Sequence, residues 1–409
     1  MVFRISEDNN KSKSKIRNWF TVKYPNLLPL WMAVFIDILG FSILLTILPS
    51  FIGNIIDIPV ITGLILSINA IFTFIFAPIL GKLSDRYGRK PILLISQLGT
   101  AIGFLLMAFS TSLELLIISR IIDGVFGGNF PIAKAIISDS VPPKDRALQM
   151  TNIGVCHVLA SLIGPGLGGI LYNFRGLLML PPGLVSTFLS ILTIIITIFL
   201  LKETWNKSDR LKNSQNKDKN DVKIRKNKTA IFLLVQWALH TISFMIYITT
   251  IALFASVVLG LTAFETGVLL SISGIFRAII RFTIFKPLLK VLGENKMLLI
   301  GLGMFSIVFL LMGFVQNYIQ FLIILLFVSF AASCTRGILI SKITRSVSPH
   351  EQGIINGYMT SLDSIAQIIG PIFGGTILTV LPSYWLGILT SILASIAFIM
   401  LFKKVKLRS

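Results

Sequence analysis

Two stretches of sequence decide the fold, because they repeat one pattern at a distance of 206 residues. Pro142–Gly169 reads PPKDRALQMTNIGVCHVLASLIGPGLGG, and Ser348–Gly375 reads SPHEQGIINGYMTSLDSIAQIIGPIFGG. Both stretches end in the pattern Gly-Pro-x-x-Gly-Gly. The positions are Gly164, Pro165, Gly168 and Gly169 in the first copy, and Gly370, Pro371, Gly374 and Gly375 in the second. A repeat of this kind indicates two structural halves with the same orientation.

The segments around the repeat are too apolar for a water-soluble protein. Of 409 residues, 54% are hydrophobic and 13% are charged, whereas a soluble domain has about 25% charged residues. A helix needs about 20 apolar residues to cross a bilayer. We predict such spans at 27–52, 60–80, 91–110, 113–137, 149–172, 182–201, 230–258, 266–285, 297–315, 319–342, 353–379 and 383–402. The sequence therefore predicts an all-α membrane protein with twelve transmembrane helices in two six-helix halves.

The basic residues determine the expected topology. Lys and Arg lie in the two tails, in the central loop and after the even-numbered spans, whereas the opposite loops contain only Arg175. Basic loops face the cytoplasm, so we expect a multi-pass protein of the plasma membrane with both termini cytoplasmic. The predicted segments are a tail at 1–26, a half at 27–201, a central loop at 202–229, a half at 230–402 and a tail at 403–409.

The net charge of +20 follows from this topology, so the expected partner is the lipid bilayer and not nucleic acid. The sequence contains no phosphate-binding Gly-x-x-x-x-Gly-Lys-Ser/Thr motif, no metal-ligand cluster and no nucleophile–base set. We therefore expect neither an ATP-driven pump nor an enzyme, and no metal or other cofactor.

Ionisable residues inside the predicted spans are the candidates for function, because a charge in lipid is costly and normally faces a cavity. These candidates are Asp37, Arg120, Asp123, His157, His240, Arg277, Arg281, Arg336 and Asp363. Arg120 and Asp123 lie three residues apart and are expected to share a helix face. Arg277 and Arg281 can bind an anionic substrate group, or they can extend to the membrane interface.

A buried carboxyl group favours its neutral form, and a nearby arginine favours the charged form. A carboxyl group that alternates between these surroundings can load and release a proton. Asp37 and Asp123, with Arg120 as modulator, are the predicted proton carriers, and the alternative is a permanently paired structural cluster. His157 and His240 belong either to the substrate cavity or to the packing between helices.

The stretch GKLSDRYGRK, residues 81–90, concentrates charge between two apolar spans. Its basic residues fit the topology, but Asp85 does not. Gly81 and Gly88 are expected to permit a tight turn and a close helix approach. Two further basic residues, Arg86 and Arg89, can pair with Asp139.

Small residues in the spans are expected to let helices approach closely. The predicted packing positions are Gly124, Gly128, Gly154, Gly164, Gly168, Gly169 and Gly370. Pro165 and Pro371 lack the backbone donor of a helix interior, so the helices can also bend there. Plain packing and a hinge both remain open for these motifs.

Several motifs together resemble one family of transporters. Gly81-x-Leu83-x-Asp85-Arg86-x-Gly88-Arg89-Lys90 resembles the loop 2–3 signature of the major facilitator superfamily, and Arg120-x-x-x-Gly124 resembles its span 4 motif. Gly154 with Gly164-Pro165 is similar to the span 5 motif of antiporters. Asp37-x-x-Gly40-Phe41 with Pro49 is similar to span 1 of the proton-coupled drug and tetracycline efflux branch.

The resemblance implies a secondary transporter that carries a small molecule by alternating access, with the proton gradient as energy source and a monomer as the working unit. It also implies that Asp85 latches the halves together at the start of span 11. An importer or facilitator of a sugar, peptide or organic anion is the alternative within transport. A non-transporting sensor or scaffold is the alternative of another class.

Overall fold

The computed structural model describes residues 24, 27–174, 178–204, 227–348 and 351–406. Within these residues the chain forms thirteen α-helices and one π-helical segment. The helices are α1 (Leu28–Gly53), α2 (Pro59–Tyr87), α3 (Arg89–Ala108), α4 (Leu113–Val125), α5 (Asn129–Ser140), α6 (Pro143–Leu171), α7 (Leu180–Leu200), α8 (Lys228–Leu259), α9 (Ala263–Ile279), the π segment (Ile280–Ile284), α10 (Phe285–Met312), α11 (Tyr318–Arg345), α12 (Gln352–Val380) and α13 (Tyr384–Lys406). The N-terminal tail, apart from Tyr24, and most of the central loop lie outside the described residues.

Eleven helical stretches of the described chain are long and apolar enough to cross a bilayer. One of them, Ala263–Met312, has 50 residues and would measure about 75 Å as a straight helix, more than twice the ~30 Å hydrocarbon core. It is interrupted at Gly293, where the backbone has φ +70° and is not helical. This stretch therefore supplies two crossings, and the predicted all-α membrane fold is confirmed with twelve.

Two predicted loops are shorter than expected. Helix α2 runs to Tyr87 and α3 begins at Arg89, so only Gly88 separates them. Gly88 has φ +107°, a conformation that residues with a Cβ rarely adopt. The prediction that Gly81 belongs to the turn is wrong, because α2 continues through it. Residues 286–296 are likewise helical on both sides of Gly293.

Each half of the bundle packs around its own apolar residues. Four clusters of buried hydrophobic side chains fill the described bundle, two in the N-terminal half and two in the C-terminal half. Every cluster draws its buried members from one half only. Large apolar side chains such as Phe188 and Phe199 point outward and are 66% and 79% exposed. Because lipid covers such side chains favourably, the chain is an integral multi-pass membrane protein.

Contacts between the halves are tightest at one end of the bundle. We call the end that carries residues 82–90 and 342–345 the basic end, and the other the opposite end. Near the opposite end, a Cβ on Gly267 of α9 would collide with the carbonyl oxygen of Pro165 of α6. A Cβ on Gly63 of α2 would collide in the same way with the carbonyl oxygen of Pro371 of α12. These two contacts join the halves backbone to backbone.

Hydrogen bonds reinforce one of these contacts. Ser67 Oγ donates to the carbonyl oxygen of Ile368 at 2.8 Å, and the backbone N–H of Val60 donates to Thr379 Oγ1 at 2.9 Å. Both bonds run from α2 to α12, across the division between the halves. They satisfy polar groups that lipid would leave without a partner.

The Gly-Pro-x-x-Gly-Gly motif presents two faces to two different helices. Gly168 of α6 faces α1 of the same half, where a Cβ would lie 2.8 Å from the carbonyl oxygen of Ile43. Gly169 faces α9 of the other half, where a Cβ would lie 2.7 Å from the carbonyl oxygen of Ala263. Further glycines that pack against a neighbouring helix are Gly124, Gly128, Gly164, Gly370, Gly374 and Gly375. The motif thus builds one half and closes it against the other.

Glycines toward the basic end lie in open space. A Cβ on Gly81, Gly154 or Gly357 would meet no atom within 4 Å beyond its own helix and chain neighbours. The predicted close packing at Gly154 is therefore wrong for this structure. The reason is its position, because Gly154 is exposed and lies two to three turns closer to the basic end than Gly164.

A leucine at Gly168 should destabilise the N-terminal half, because it forces α6 away from α1. The expected loss in the free energy of unfolding is about 1–3 kcal/mol. Gly154→Leu is the matched control, and it should be neutral or slightly stabilising because a helix favours leucine over glycine by roughly 1 kcal/mol. Thermal unfolding of the purified variants, followed by intrinsic fluorescence, measures the difference. Equal midpoints for the two variants would contradict the packing role of Gly168.

Candidate functional site

Asp123 and Arg120 form a buried ion pair inside the N-terminal half. Arg120 Nη1 lies 3.3 Å from Asp123 Oδ2, and Asn69 Nδ2 donates a hydrogen bond to the same oxygen at 2.8 Å. Arg120 is only 1% exposed, and its guanidinium lies 5.8 Å from the ring centre of Phe104. The two residues share a face of α4, as their spacing predicts. A charge buried this deeply requires such a partner.

Asp37 of α1 faces the same region from another helix. Its carboxyl group is in side-chain contact with Asn129 and within electrostatic reach of Asp123. Asn129 is the first residue of α5, next to the N-terminus of that helix. A helix N-terminus carries partial positive charge, so α5 offers Asp37 an anion-stabilising end. Two carboxyl groups thus lie close enough to influence each other's protonation.

A break in the fourth crossing creates this arrangement. The sequence predicts one continuous helix at 113–137, but α4 ends at Val125 and α5 begins at Asn129. Ser96 Oγ of α3 accepts a hydrogen bond from the backbone N–H of Gly128 at 3.0 Å and donates one to the carbonyl oxygen of Phe126. Because Ser96 satisfies backbone groups that the break releases, the interruption is stable within the membrane.

A second ion pair lies in the C-terminal half. Arg336 Nη2 of α11 is 3.0 Å from Asp363 Oδ2 of α12. The guanidinium of Arg336 also lies 4.9 Å from the ring centre of Trp237 of α8, a favourable cation–π geometry. Thr241 contacts the carboxyl group of Asp363 as well. Three helices of the C-terminal half therefore converge on one charged cluster.

Lys134 of α5 extends from the N-terminal half toward this cluster. Its Nζ lies 3.4 Å from Thr360 Oγ1 of α12, and it interacts electrostatically with both Asp363 and Arg336. The ammonium group also lies 4.8 Å from the ring centre of Phe130. Lys134 consequently links the halves through a charge–charge interaction.

Three further polar residues meet across the division between the halves. His157 of α6 lies within electrostatic reach of Arg277 of α9 and of Arg336. Arg277 in turn interacts with Tyr247 of α8, and its Nε is buried without a hydrogen-bond partner in the described structure. The π segment begins three residues after Arg277, and such segments are frequent at functional sites.

The two remaining sequence candidates are His240, which lies within electrostatic reach of Arg336, and Arg281. His240 is 4% exposed and packs among rings, with its ring centre 5.3 Å from that of Phe305 and 6.1 Å from that of Phe244. This environment favours the packing role over the cavity role. Arg281 lies 4.7 Å from the ring centre of Phe285 and close to Gly337.

Arg89 organises the basic end of the N-terminal half. Its Nη1 lies 2.6 Å from Asp85 Oδ1 at the end of α2, and its Nε lies 2.8 Å from Asp139 Oδ2 at the end of α5. The predicted pairing of Arg89 with Asp139 is therefore present. Arg86 forms no ion pair with Asp139 in the described structure, because its guanidinium lies beside the Tyr87 ring at 5.2 Å.

An apolar groove of about 350 Å³ lies between α12 and α13, near the opposite end. Its lining residues are Ile372, Phe373, Thr376, Ile377, Leu381, Trp385 and Leu389. The groove contains no charged side chain, and it is separate from the polar residues inside the bundle. We therefore assign the candidate site to the charged groups between the halves.

Comparison with known sequences identifies the family of this bundle. The family model described as Major Facilitator Superfamily matches residues 30–284 and 282–408. The chain belongs to the Major Facilitator Superfamily. It is a secondary transporter of the efflux type.

Curated relatives cover most of the transporter. It is 28% identical over 360 residues to the tetracycline resistance protein, class H, of Pasteurella multocida, which covers 87% of this chain and 89% of that protein. It is 29% identical over 363 residues to the multidrug resistance protein MdtG of Proteus mirabilis, with 85% and 88% covered. The crystal structure of the human organic anion transporter MFSD10 shares the fold, with a TM-score of 0.69, 21% identity and coverage of 93% of this chain and 99% of that one.

Sequence reasoning missed several polar residues of the transporter site, among them Asn69, Asn129, Lys134 and Tyr247. Asn69 and Asn129 are uncharged, so their presence in apolar spans gave a weak signal. Lys134 lies inside the predicted span 113–137 and is a charge in the membrane, which by itself marks a candidate. The Gly127-Gly128 pair before Asn129 signals the helix break, because both glycines disfavour a continuous helix.

Removing one partner of the Arg120–Asp123 pair should destabilise the transporter more than removing both charges. Arg120→Gln leaves a buried carboxylate without its cation, at an expected loss of about 3–5 kcal/mol in the free energy of unfolding. The double variant Arg120→Gln/Asp123→Asn should recover most of that loss. Thermal unfolding of both purified proteins provides the comparison. If the double variant instead loses at least as much stability as Arg120→Gln, the two side chains do not stabilise each other.

Proposed function

We propose that this transporter exports small drug-like organic molecules from the cytoplasm in exchange for protons. The proposal rests on the group of Asp37, Asp123 and Arg120 inside the N-terminal half. The names of its relatives, tetracycline and multidrug resistance proteins, support a substrate of this size and chemistry. We propose further that it acts as a monomer, without a bound cofactor and without covalent chemistry on its substrate.

Proton exchange would use the two carboxyl groups as carriers. In this proposal Asp37 takes up a proton when the bundle opens on one side and releases it when the surroundings change. Asn129 and the N-terminus of α5 stabilise the charged form of Asp37, whereas the nearby charge of Asp123 opposes it. Small movements of α5 relative to α1 would therefore shift the balance between the protonated and the charged form of Asp37.

The direction of export depends on the orientation in the membrane. We propose that the basic end faces the cytoplasm of a plasma-membrane transporter, because basic loops remain on that side. The contacts of Gly63 and Gly267 would then close the outer side of the bundle. Alternating access would break these contacts and close the basic end in their place.

Asp85 is the proposed latch for the closed basic end. It lies at the end of α2 and is 54% exposed in its side chain, with Arg89 holding it at 2.6 Å. Helix α12 of the other half begins at Gln352 on the same end. Its N-terminus would attract the carboxylate, while Arg89 keeps α2 and α5 together.

Asp37→Asn should abolish proton-driven transport and leave the protein folded. The asparagine amide, unlike a carboxyl group, does not gain or lose a proton near neutral pH. Uptake of a fluorescent drug into inverted membrane vesicles, with and without an imposed pH gradient, measures the effect. The part of the drug uptake that depends on the pH gradient should fall to the level of vesicles without the protein. Glu114→Gln, an exposed acid at the opposite end, is the matched control and should behave as wild type. Unchanged gradient dependence in Asp37→Asn rules out Asp37 as a carrier.

Asp85→Asn should slow transport severalfold and leave drug binding unchanged, because it weakens closure and not the central site. Drug binding is measured in detergent and drug transport in proteoliposomes, with the same preparation of each variant. Asp57→Asn, an exposed aspartate at the opposite end, is the control with the same change in charge. Full flux in Asp85→Asn would exclude the latch.

A further inference from the structure

Arg277 has no acidic partner among the described residues, unlike Arg120 and Arg336. Arg120 pairs with Asp123 at 3.3 Å and Arg336 pairs with Asp363 at 3.0 Å. No carboxylate of the described chain forms an ion pair with Arg277. Its Nε is shielded from solvent and donates no hydrogen bond. A partly buried guanidinium without an acidic partner is costly, so the positive charge of Arg277 is left without a structural explanation.

The groups around Arg277 are suited to holding an anion. Tyr247 approaches from α8 and supplies a hydroxyl donor, and His157 approaches from α6 of the other half. The positive charge here comes from Arg277, because Arg336, which also acts on His157, is paired with Asp363 at 3.0 Å. A cleft lined by one sign of charge attracts ligands of the other sign.

Asp363 of the C-terminal half is not a partner of Arg277. Asp363 already interacts with Arg336 and with Lys134. In the N-terminal half, Asp37 and Asp123 lie beside Asn129, Asn69 and Arg120. None of these three acids forms an ion pair with Arg277 in the described structure.

We propose that Arg277, with Tyr247 and His157, binds a carboxylate group of the transported molecule. The guanidinium would donate two parallel hydrogen bonds to the two carboxylate oxygens, a geometry that arginine favours. The preferred substrates are then organic acids or zwitterions, which should bind more tightly than analogues of the same size without the carboxylate. This inference rests on the proposed export function and specifies its substrate class.

The position of the site also connects binding to movement. His157 belongs to α6 and Arg277 to α9, and these helices contact each other between the halves, where a Cβ on Gly274 would lie 2.7 Å from Leu162 Cα. A bound carboxylate placed between them would interact with Arg277 on one side and with His157 on the other. Substrate binding would therefore favour closer approach of the halves at this depth.

Binding of three dyes to the full chain in nanodiscs tests the proposal. Fluorescein carries the carboxylate, fluorescein methyl ester lacks it, and rhodamine 6G is a cation of similar ring size. Fluorescence polarisation gives the three dissociation constants. Wild type should bind fluorescein about tenfold or more tightly than the ester, which corresponds to one charge-assisted interaction.

Arg277→Gln should remove this preference and leave rhodamine 6G binding unchanged, which also reports that the variant is folded. Arg277→Lys should keep part of the preference, since it retains the charge but not the planar pair of donors. Arg345→Gln is the matched control, because Arg345 pairs with Glu294 at the basic end at 2.5 Å, outside the proposed site. Its preference should equal that of wild type.

The proposal is overturned if wild type shows no preference for fluorescein over the ester, including the case in which fluorescein does not bind. It is also overturned if the preference survives in Arg277→Gln. Flux tests the export function separately. Gradient-driven transport of rhodamine 6G without a fluorescein preference rejects the carboxylate site alone. A fluorescein preference without gradient-driven transport of any dye rejects proton-coupled export and leaves the binding site standing.

Discussion

The structure depends on close backbone contact between its two halves at glycines. Pro165 and Pro371 hold equivalent places in the repeat, and the carbonyl oxygen of each lies where a Cβ on a glycine of the other half would be. A side chain at Gly63 or Gly267 would separate the halves, and the polar groups between them would lose their relative positions. Such contacts are also weak enough to break, because in lipid they rest on packing and a few hydrogen bonds without a hydrophobic driving force between helices. The same contact can therefore hold one state and release it.

The interior follows from a second constraint, that polar groups within a membrane need partners. At the break between α4 and α5, Ser96 bonds to Phe126 and Gly128, and the N–H of Gly128 also bonds to the carbonyl oxygen of Phe126 at 2.7 Å. Once formed, the break brings Asn129 and the N-terminus of α5 to Asp37. The polar site near the middle of the bundle is thus a consequence of this interruption of the helix. Its cost is offset by hydrogen bonds from a neighbouring helix.

Much of this could be predicted from the sequence, and the remainder could not for physical reasons. Hydropathy predicts the crossings because the required length of a helix is fixed by the bilayer, and the shared face of Arg120 and Asp123 follows from helical periodicity. Spacing along one helix cannot reveal which residues meet from different helices, so the contact of Lys134 with Thr360 was not predictable. The open surroundings of Gly154 depend on where the halves separate, and a glycine motif carries no information about that.

The two halves share their packing but differ in charge, and this difference suggests a division of labour. In the N-terminal half, Asn69 of α2 bonds to Asp123 of α4 at 2.8 Å. In the C-terminal half, Ser273 of α9 bonds to Ser329 of α11 at 2.7 Å, and this pair is neutral. One turn further along α9 stands Arg277, a cation without an acid. The two halves thus share the Gly-Pro-x-x-Gly-Gly packing motif and differ in the charged groups that they place inside the bundle. The acids suited to proton exchange lie in the N-terminal half, and the cation suited to an anionic substrate lies in the C-terminal half. Each rocking movement would therefore change the distance between the proposed proton site and the proposed substrate site.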